Sequence, residues 1–308
     1  MTSHSSPVTH HRVLALIGAN GMLADAVKRL CPEQYRIVPF DLPEFDITNR
    51  EQVVKMMEEV RPQVIVNCAA YTDVDGCETN IPLAEQVNGE GPGHLALAAK
   101  NIGATLVHIS TDYVFNGQNS TPYTEEDPTD PQSAYGRSKL AGEQTVLESG
   151  LEEYFIIRTS WLYGRGGKNF VETILRLARE REELRIVADQ VGSPTYTEDL
   201  ATVIFKLLEI ARRPSPVTGH SPYGIYHFSN EGQCSWYQFT GEIVAQTLER
   251  GEVLKVETIH PITTEEYPLP AHRPAYSVLS KAKIKGLTGF EIPDWRISLN
   301  HYLQERNR

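Results

Sequence analysis

A glycine turn between an apolar strand and a helix constrains the fold of this chain more than any other feature. The apolar run Val13–Ile17 leads directly into Gly18–Ala24, which has the spacing G-x-x-G-x-x-A. Glycines at these positions let the backbone approach a diphosphate, whose charge is stabilised by the N–H groups and the positive end of the helix. The turn therefore predicts a dinucleotide site, although an ordinary tight turn would also carry such glycines.

Short β-branched runs alternate with segments of helical spacing through the first half of the chain. The predicted strands are Val13–Ile17, Arg36–Phe40, Val64–Val66, Thr105–Ile109 and Phe155–Ile157, and the predicted helices are Met22–Leu30, Glu51–Val60, Leu83–Ile102 and Tyr135–Leu147. This order is typical of a parallel sheet with helices on both faces and a ligand site beyond the carboxyl ends of the strands. We therefore predict an α/β fold, a Rossmann-like doubly wound parallel sheet.

The second half is less regular, because proline and glycine cluster in Arg213–Gly224 and in His260–Pro274. It still contains predicted helices and short strands at Thr197–Ala211, Trp236–Leu248, Trp295–Gln304, Arg185–Val187 and Ile225–Phe228. We expect a flexible tail over 1–11 and a dinucleotide-binding domain over 12–164 that parts of 185–230 complete. A smaller C-terminal α/β substrate lobe would consist mainly of 165–308. The length of 308 residues suits this division into two domains.

Composition excludes several classes of partner. The chain has 29 Lys+Arg and 40 Asp+Glu, a formal charge of −11, and no basic run of five residues, so we expect neither nucleic acid nor an anionic membrane surface as a partner. The four cysteines form no C-x-x-C pair and predict neither a zinc site nor a disulfide framework. No apolar run approaches the roughly 20 residues of a membrane helix. We therefore expect a cytoplasmic protein.

Two acidic residues follow the second predicted strand. Asp41 lies 23 residues after Gly18, where a carboxylate can accept hydrogen bonds from the adenosine ribose and disfavours a 2′-phosphate. It leans toward NADH without deciding between NADH and NADPH, and a plain turn aspartate before Pro43 is the alternative. Farther on, Asp46 either approaches the adenine or, like Thr48, caps the following helix.

Tyr135 and Lys139 are one helical turn apart in Tyr-Gly-Arg-Ser-Lys. An ammonium beside a tyrosine stabilises the phenolate and lowers its pKa from about 10, so that the hydroxyl can donate a proton near neutral pH. Thr111 ends a β run 24 residues earlier, and its hydroxyl can donate to the same substrate oxygen and stabilise developing alkoxide charge. An exposed helix pair would have the same Tyr-Lys spacing, but the three residues together predict a carbonyl reductase.

With the glycine turn, this set resembles the site of the extended short-chain dehydrogenase/reductases. Longer motifs make the resemblance specific: VNCAAYTDVD at 66–75, STDYVF at 110–115, YGRSKLAGE at 135–143, RTSWLYG at 158–164, DQVGSPT at 189–195, and Arg273-Pro274 with Ser277. They are similar to the dTDP-4-dehydrorhamnose reductase family over Arg12 to Leu303. In that family NADPH or NADH reduces the C4 ketone of dTDP-4-dehydro-L-rhamnose to give dTDP-L-rhamnose.

The resemblance implies a role for each matching position. The cofactor would be held by Gly18, Gly21, Met22 and Leu23 at the diphosphate, by Asp41, Asp46 and Ile47 at the adenosine, and by Ala70, Tyr71 and Thr72 after the third strand. The sugar nucleotide would be held by Thr111, Asp112, Trp161 and Arg273. Tyr135 would be the proton donor, and Lys139 would hold the nicotinamide ribose and tune Tyr135. For Trp161 the alternative is a core tryptophan.

Some members of that family form a dimer bridged by Mg²⁺, with a ligating glutamate where this chain has Ala26. The alanine argues against the bridge, and we predict no metal site. Glu198 matches another of those ligands, but we interpret it as an exposed acidic residue in the first turn of a helix. A homodimer is left open.

Two other functions also stay open. One is a nucleotide-sugar epimerase or 4,6-dehydratase of the same extended fold. A dehydratase typically carries Asp-Glu after the threonine, whereas Asp112-Tyr113 follows Thr111 here. The other is a non-catalytic regulatory subunit that resembles the one bound to methionine adenosyltransferase. Trp161 and the run Asp189–Thr195 favour the reductase.

Overall fold

The computed structural model describes residues 11–212 and 221–306. The predicted tail over 1–11 lies outside these ranges except for His11, and so does the part of the Arg213–Gly224 cluster that covers 213–220. Among the helices of the described residues, none is long and apolar enough to cross a membrane.

The strands of the described residues are β1 (Arg12–Ile17), β2 (Tyr35–Phe40), β3 (Val64–Asn67), β4 (Thr105–Thr111), β5 (Tyr154–Thr159), β6 (Leu162–Tyr163), β7 (Glu183–Val187), β8 (Val191–Gly192), β9 (Thr195–Tyr196), β10 (Gly224–His227), β11 (Cys234–Ser235) and β12 (Thr258–Ile262). The α-helices are α1 (Met22–Arg29), α2 (Arg50–Val60), α3 (Val74–Thr79), α4 (Ile81–Ala84), α5 (Gly91–Ile102), α6 (Ala134–Glu148), α7 (Phe170–Glu180), α8 (Thr197–Arg212), α9 (Trp236–Glu249), α10 (Ala282–Thr288) and α11 (Trp295–Glu305). A π-helical turn (Glu85–Glu90) joins α4 to α5, and a 3₁₀ turn (Asp112–Val114) follows β4.

Six parallel strands form the main sheet in the spatial order β2-β1-β3-β4-β5-β10. From β1 the chain moves first to β2 on one side and then to β3 on the other. The strand order therefore reverses between β1 and β3, which is where doubly wound sheets open a crevice for ligands. The predicted fold class is confirmed, and β10 supplies the edge strand from the second half of the chain.

Both faces of this sheet are buried. On one face Leu14, Val66 and Val107 pack against α1 and α8, and on the other Ile65 and Leu106 pack against α2, α5 and α6. Side chains alternate between the faces of a strand, so a sheet that is covered on both sides needs continuous apolar runs. This requirement explains why the strands of the main sheet can be predicted from apolar runs in the sequence.

A second cluster lies outside the main sheet. Tyr163, Phe239, Trp295 and Tyr302 form its aromatic core among α7, α9 and α11. Three small pairings surround it, namely β7 with β12, β8 with β11 and β6 with β9. The predicted strand at Arg185–Val187 is thus present, but it pairs with β12 outside the main sheet.

Two local expectations need correction, and the helix α7 was missed. The single helix predicted over Leu83–Ile102 is α4, the π-helical turn and α5 in succession. Neither Asp46 nor Thr48 caps α2, because Asn49 is the capping residue and its side chain accepts from the Gln52 N–H at 3.0 Å. The helix α7 was not predicted, although its buried residues Val171, Ile174, Leu175 and Ala178 have helical spacing.

Candidate active site

The glycine turn lies at the point where the strand order reverses. Gly18 has a φ of +71°, and a Cβ on it would lie 2.6 Å from the backbone nitrogen of Ala69 after β3. Only glycine fits this conformation and this close approach. Gly21 precedes α1 without a side-chain cap, which leaves the N–H groups of Met22 and Leu23 free of a capping side chain. The turn is therefore shaped to accept an anion at the start of α1.

Asp41 joins the end of β2 to this turn. Its carboxylate accepts from the Asn20 N–H at 2.6 Å and from the Leu42 N–H at 2.9 Å. A carboxylate can accept about four hydrogen bonds, so acceptor sites are left for a ribose. The turn aspartate and the ribose acceptor are thus compatible roles for one side chain.

The next two candidates at the adenosine side are held locally. Asp46 accepts from the backbone N–H and the hydroxyl of Thr48, at 2.9 and 2.8 Å. The Ile47 side chain is buried in the core with Phe40 and Phe45. Ile47 therefore offers chiefly its backbone to a ligand.

The loop after β3 carries Ala70, Tyr71 and Thr72 and is fixed by a residue that sequence reasoning missed. Asn88, in the π-helical turn, accepts from the Tyr71 N–H at 2.8 Å and donates to the Tyr71 carbonyl at 3.0 Å. Its amide nitrogen also lies 3.1 Å from the Ser138 hydroxyl on α6. The cofactor loop and the helix of Tyr135 and Lys139 are therefore tied to one buried amide.

Thr111, Tyr135 and Lys139 come together at the carboxyl end of β4. Ser133 starts α6 by accepting from the Gly136 N–H at 3.1 Å, which sets Tyr135 in the first turn. Burial raises the pKa of Tyr135 strongly, the Asp112 carboxylate raises it further, and a hydrogen bond with the Thr111 hydroxyl lowers it. The Thr111 hydroxyl itself donates to Asp112 Oδ1 at 2.9 Å, so Thr111, Asp112 and Tyr135 form one cluster after β4.

Lys139 is only 2% exposed. Its ammonium donates to the Ile109 carbonyl at 2.6 Å. Burial lowers the pKa of Lys139 to about 8, against the opposing charge of Glu143. The side chain is therefore charged at neutral pH and lies one turn from Tyr135. The predicted lowering of the Tyr135 pKa by Lys139 is not seen, because burial and Asp112 raise that pKa and Lys139 is directed to the Ile109 carbonyl.

A buried polar row lies under α6, next to Lys139. The Glu143 carboxylate accepts from the Ser110 hydroxyl and from Arg158, whose Nη2 lies 2.7 Å and whose Nε lies 2.9 Å from its oxygens. The Arg158 Nη1 lies 3.5 Å from the ring of His227. Glu143 follows Lys139 by one turn, so the row fixes α6 against β4, β5 and β10.

His108 lies beside this row, and its hydrogen bonds determine which ring nitrogen carries the proton. The Ala69 N–H donates to the Asn67 Oδ1, so the amide nitrogen of Asn67 donates to His108 Nδ1, each at 3.1 Å. The proton of neutral His108 is therefore on Nε2, which is buried without a partner among the described residues. Burial and the charge of Lys139 lower the pKa of His108 well below its usual value.

Asp112 is a buried carboxyl beside Tyr135. Its Oδ1 accepts from the Thr111 hydroxyl at 2.9 Å, and its Oδ2 has no partner among the described residues. Burial raises the pKa of Asp112 to about 6, with hydrogen bonds from Ser277 and Thr111 opposing the rise. Asp112 is 2% exposed, so this oxygen is not accessible to a ligand in this structure.

Trp161 is neither a core residue nor an open indole platform. It has a φ of +47° and stacks on Trp236 with ring centroids 3.5 Å apart and an interplanar angle of 10°. A Cβ on Gly192 would lie 2.7 Å from the Trp161 Cε2, so the benzene part of the indole is also covered. The strained backbone and the close glycine hold this ring in one orientation.

Arg273 enters the same region from the C-terminal segment. Its guanidinium pairs with Asp75 on α3. Burial and the Asp112 carboxylate raise the pKa of Tyr113, and the charge of Arg273 opposes this rise. The Tyr113 ring packs edge-on against Tyr135, with centroids 5.4 Å apart.

Comparisons with known proteins agree with this geometry. The family described as the RmlD substrate binding domain matches residues 12–308. A dTDP-4-dehydrorhamnose reductase of Burkholderia thailandensis is 43% identical over 288 residues, which cover 93% of this chain and 96% of that protein. The chain belongs to the dTDP-4-dehydrorhamnose reductase family.

Solved structures of this reductase family show the same fold. The reductase of Clostridium acetobutylicum superposes with a TM-score of 0.88 at 42% identity, covering 96% of this chain and 100% of that one. The reductase of Bacillus anthracis, solved in complex with NADP, gives a TM-score of 0.87 at 43% identity, covering 96% and 99%. The predicted family is confirmed.

This member of the reductase family differs from our expectation at Glu198. The residue is in the first turn of α8, as predicted, but its carboxylate is paired with Arg29 of α1 and is not freely exposed. Arg29 also pairs with Asp25 at 2.9 Å, and Ala26 is fully buried. Among the described residues, no three His, Cys, Asp or Glu side chains form a group that could hold a metal ion.

Four residues of the reductase site were missed or left without a role by sequence reasoning. They are Asp75, Asn88, Glu143 and Trp236. Asp75 and Glu143 end motifs of the family resemblance, so their positions carried a signal, whereas nothing in the local sequence distinguishes Asn88 and Trp236.

Proposed function

We propose that this chain reduces the C4 ketone of dTDP-4-dehydro-L-rhamnose to dTDP-L-rhamnose with NADPH or NADH. One observation carries the proposal. Thr111, Tyr135 and Lys139 are grouped at the carboxyl end of β4, where Thr111 lowers the pKa of Tyr135 and the buried Lys139 ammonium donates to the Ile109 carbonyl at 2.6 Å. Family membership supports the same reaction.

The residues fit a nicotinamide dinucleotide. The uncapped start of α1 offers Met22 and Leu23 N–H groups to the diphosphate, Asp41 has acceptor sites for the adenosine ribose, and Lys139 offers an ammonium to the nicotinamide ribose. When bound, the nicotinamide supplies the hydride. Ala70, Tyr71 and Thr72 would line its pocket, and Asp46 and Ile47 would lie near the adenosine.

Tyr135 is the proton donor in this mechanism. A high pKa keeps its hydroxyl protonated until negative charge develops on the substrate oxygen. The Thr111 hydroxyl, which donates to Asp112 Oδ1 in this structure, would turn to donate to the same oxygen and stabilise the alkoxide. The charge of Lys139 stabilises the phenolate that remains. For Asp112 to accept from a sugar hydroxyl, its Oδ2, which is buried in this structure, would have to be uncovered by the substrate.

The division of the chain follows from this proposal. Residues 12–164, with β10 and α8, would form the dinucleotide-binding part, and 165–308 would mainly form the substrate lobe, where Trp161 and Arg273 contact the sugar nucleotide. We propose the cytoplasm as the location, because the reaction consumes a reduced nicotinamide nucleotide. A homodimer stays a prediction that sedimentation of the purified chain would check.

An oxidation assay tests the proposed reaction. NADPH and NADH are each mixed with the purified chain and dTDP-4-dehydro-L-rhamnose, or its UDP counterpart, and the loss of absorbance of the reduced nicotinamide is followed. We expect consumption in proportion to product with the dTDP sugar. An epimerase keeps its nicotinamide bound and would consume none. Co-purification of a synthetase without turnover would favour the regulatory subunit.

A further inference from the structure

The ion pair between Asp75 and Arg273 joins two parts of the chain that are 198 residues apart. Arg273 Nη1 lies 3.0 Å from Asp75 Oδ1, and Nη2 lies 2.8 Å from Oδ2. The Ala271 N–H also donates to Asp75 Oδ1 at 3.0 Å. Asp75 therefore receives three hydrogen bonds from the segment 271–273 and fixes the plane of the guanidinium.

The pair leaves part of the guanidinium free. Arg273 Nη1 also donates to the Ala271 carbonyl at 3.2 Å, so both of its protons are used, while Nη2 gives one proton to Asp75. The Nε proton and the second Nη2 proton have no acceptor among the described residues. These two protons lie on one edge of the planar group, and their spacing matches two oxygens of a phosphate or carboxylate.

This free edge belongs to a segment that borders the site. Tyr113, whose pKa Arg273 influences, packs edge-on against Tyr135. Beyond Arg273, the Tyr276 N–H donates to the Gly117 carbonyl at 3.2 Å, and Ser277 is close enough to Asp112 to oppose the rise in its pKa. The segment 271–277 thus runs along the carboxyl end of β4 and places Arg273 near the proposed proton donor.

We propose that Asp75 is a positioning residue for substrate binding: it holds Arg273 so that its free Nε and Nη2 edge grips a phosphate of the sugar nucleotide. The inference rests on the proposed function and names the anion that Arg273 takes. Asp75 and Arg273 are 31% and 20% exposed, and partly exposed pairs contribute little to stability. Their main effect is therefore geometric, because an Arg side chain without a partner samples many rotamers.

Asp75→Asn tests the role with little change of shape. We expect the KM for dTDP-4-dehydro-L-rhamnose to rise about tenfold, which is the loss of one oriented charged hydrogen bond, with kcat and NADPH affinity nearly unchanged. Arg273→Lys should give a similar rise. The double variant should be no worse than Arg273→Lys alone, because Asp75 acts through Arg273. The matched control is Glu266→Gln, which breaks an exposed pair with Arg185 in the same part of the chain.

A binding experiment separates this inference from the proposed reaction. Calorimetry with dTDP alone, which carries the diphosphate without the keto-sugar, should show weaker binding to Asp75→Asn than to the unaltered chain. Equal affinity would overturn the inference even if the reaction is as proposed. Tighter binding would also overturn it, because Asp75 would then compete with the phosphate for Arg273. If the unaltered chain does not turn over the keto-sugar but binds dTDP more tightly than Asp75→Asn does, the proposed function fails and the Asp75 assignment stands.

Discussion

One face of the main sheet changes character from one end of its strands to the other. Toward the amino ends, paired residues such as Ile65 and Leu106 are fully buried and apolar. Toward the carboxyl ends the paired residues are Ser110, Arg158 and His227, which are buried and polar. The helix above follows the same division, with Val146 over the apolar end and Lys139 and Glu143 over the polar end.

The two ends therefore serve different purposes. Apolar burial stabilises the fold by about 25 cal/mol per Å² of surface removed from water. A buried ion pair such as Glu143–Arg158 contributes little net stability, because the attraction between the charges is offset by the loss of their hydration. What the polar end provides is a fixed direction for each group, and fixed directions are what the proposed proton transfer needs.

The largest loss of kcat should come from a substitution at the polar end that leaves the fold intact. Tyr135→Phe removes the proposed proton and little volume, so we expect kcat to fall by about 10²–10⁴ with cofactor still bound. Fluorescence titration with NADPH would check the binding. Near-full turnover would show that another group is the acid.

Breaking the buried ion pair should reduce stability more than any other single change in the polar row. In Glu143→Leu, Arg158 is left buried without its partner, at a cost of about 3–5 kcal/mol measured by urea unfolding. The double variant Glu143→Leu, Arg158→Leu should recover much of this stability. We expect it to stay poorly active, since α6 has lost its polar contact with Ser110; full activity in the double variant would show that the pair has no role in positioning.

A substitution at the apolar end should lower stability without changing the activity of the folded protein. Leu106→Ala leaves a cavity in a fully buried site, and we expect the free energy of unfolding to fall by about 2–5 kcal/mol. Well below the unfolding temperature, kcat and KM should be unchanged. A large loss of kcat in folded protein would contradict the division between the two ends.

The smallest expected effect is a change of folding stability with pH. Burial raises the pKa of Asp112 from its ordinary value of about 4 to about 6, so the folded state favours the protonated carboxyl. Its contribution to stability is therefore fully present below pH 4 and is lost as the pH rises through 6. Unfolding measured across this range should show a loss of stability that Asp112→Asn reduces. An identical pH profile in the variant would refute the assigned shift.

The same division explains what the sequence allows one to predict. The apolar ends of β1, β3, β4 and β5 produce local runs, and the Tyr135/Lys139 spacing is a local helical pattern. Contacts between distant segments leave no such pattern. Asp75 meets Arg273 across 198 residues, and Asn88 reaches Tyr71 from a π-helical turn within what the sequence predicts to be one regular helix. The helix cap at Asn49 was missed because Asp46 and Thr48 are equally good capping types and only geometry separates them.

The stacked pair of Trp161 and Trp236 makes the chain its own optical probe. The chain has three tryptophans, and two of them stack at 3.5 Å, a separation at which their excited states couple. Such coupling gives a paired signal in the circular dichroism of the indole bands, whereas the third, Trp295, is buried in the aromatic core against which this pair packs and has no stacked indole partner. A sugar nucleotide that contacts Trp161 would change that signal. Substrate entry into this part of the molecule can therefore be timed in a stopped-flow instrument without any attached dye.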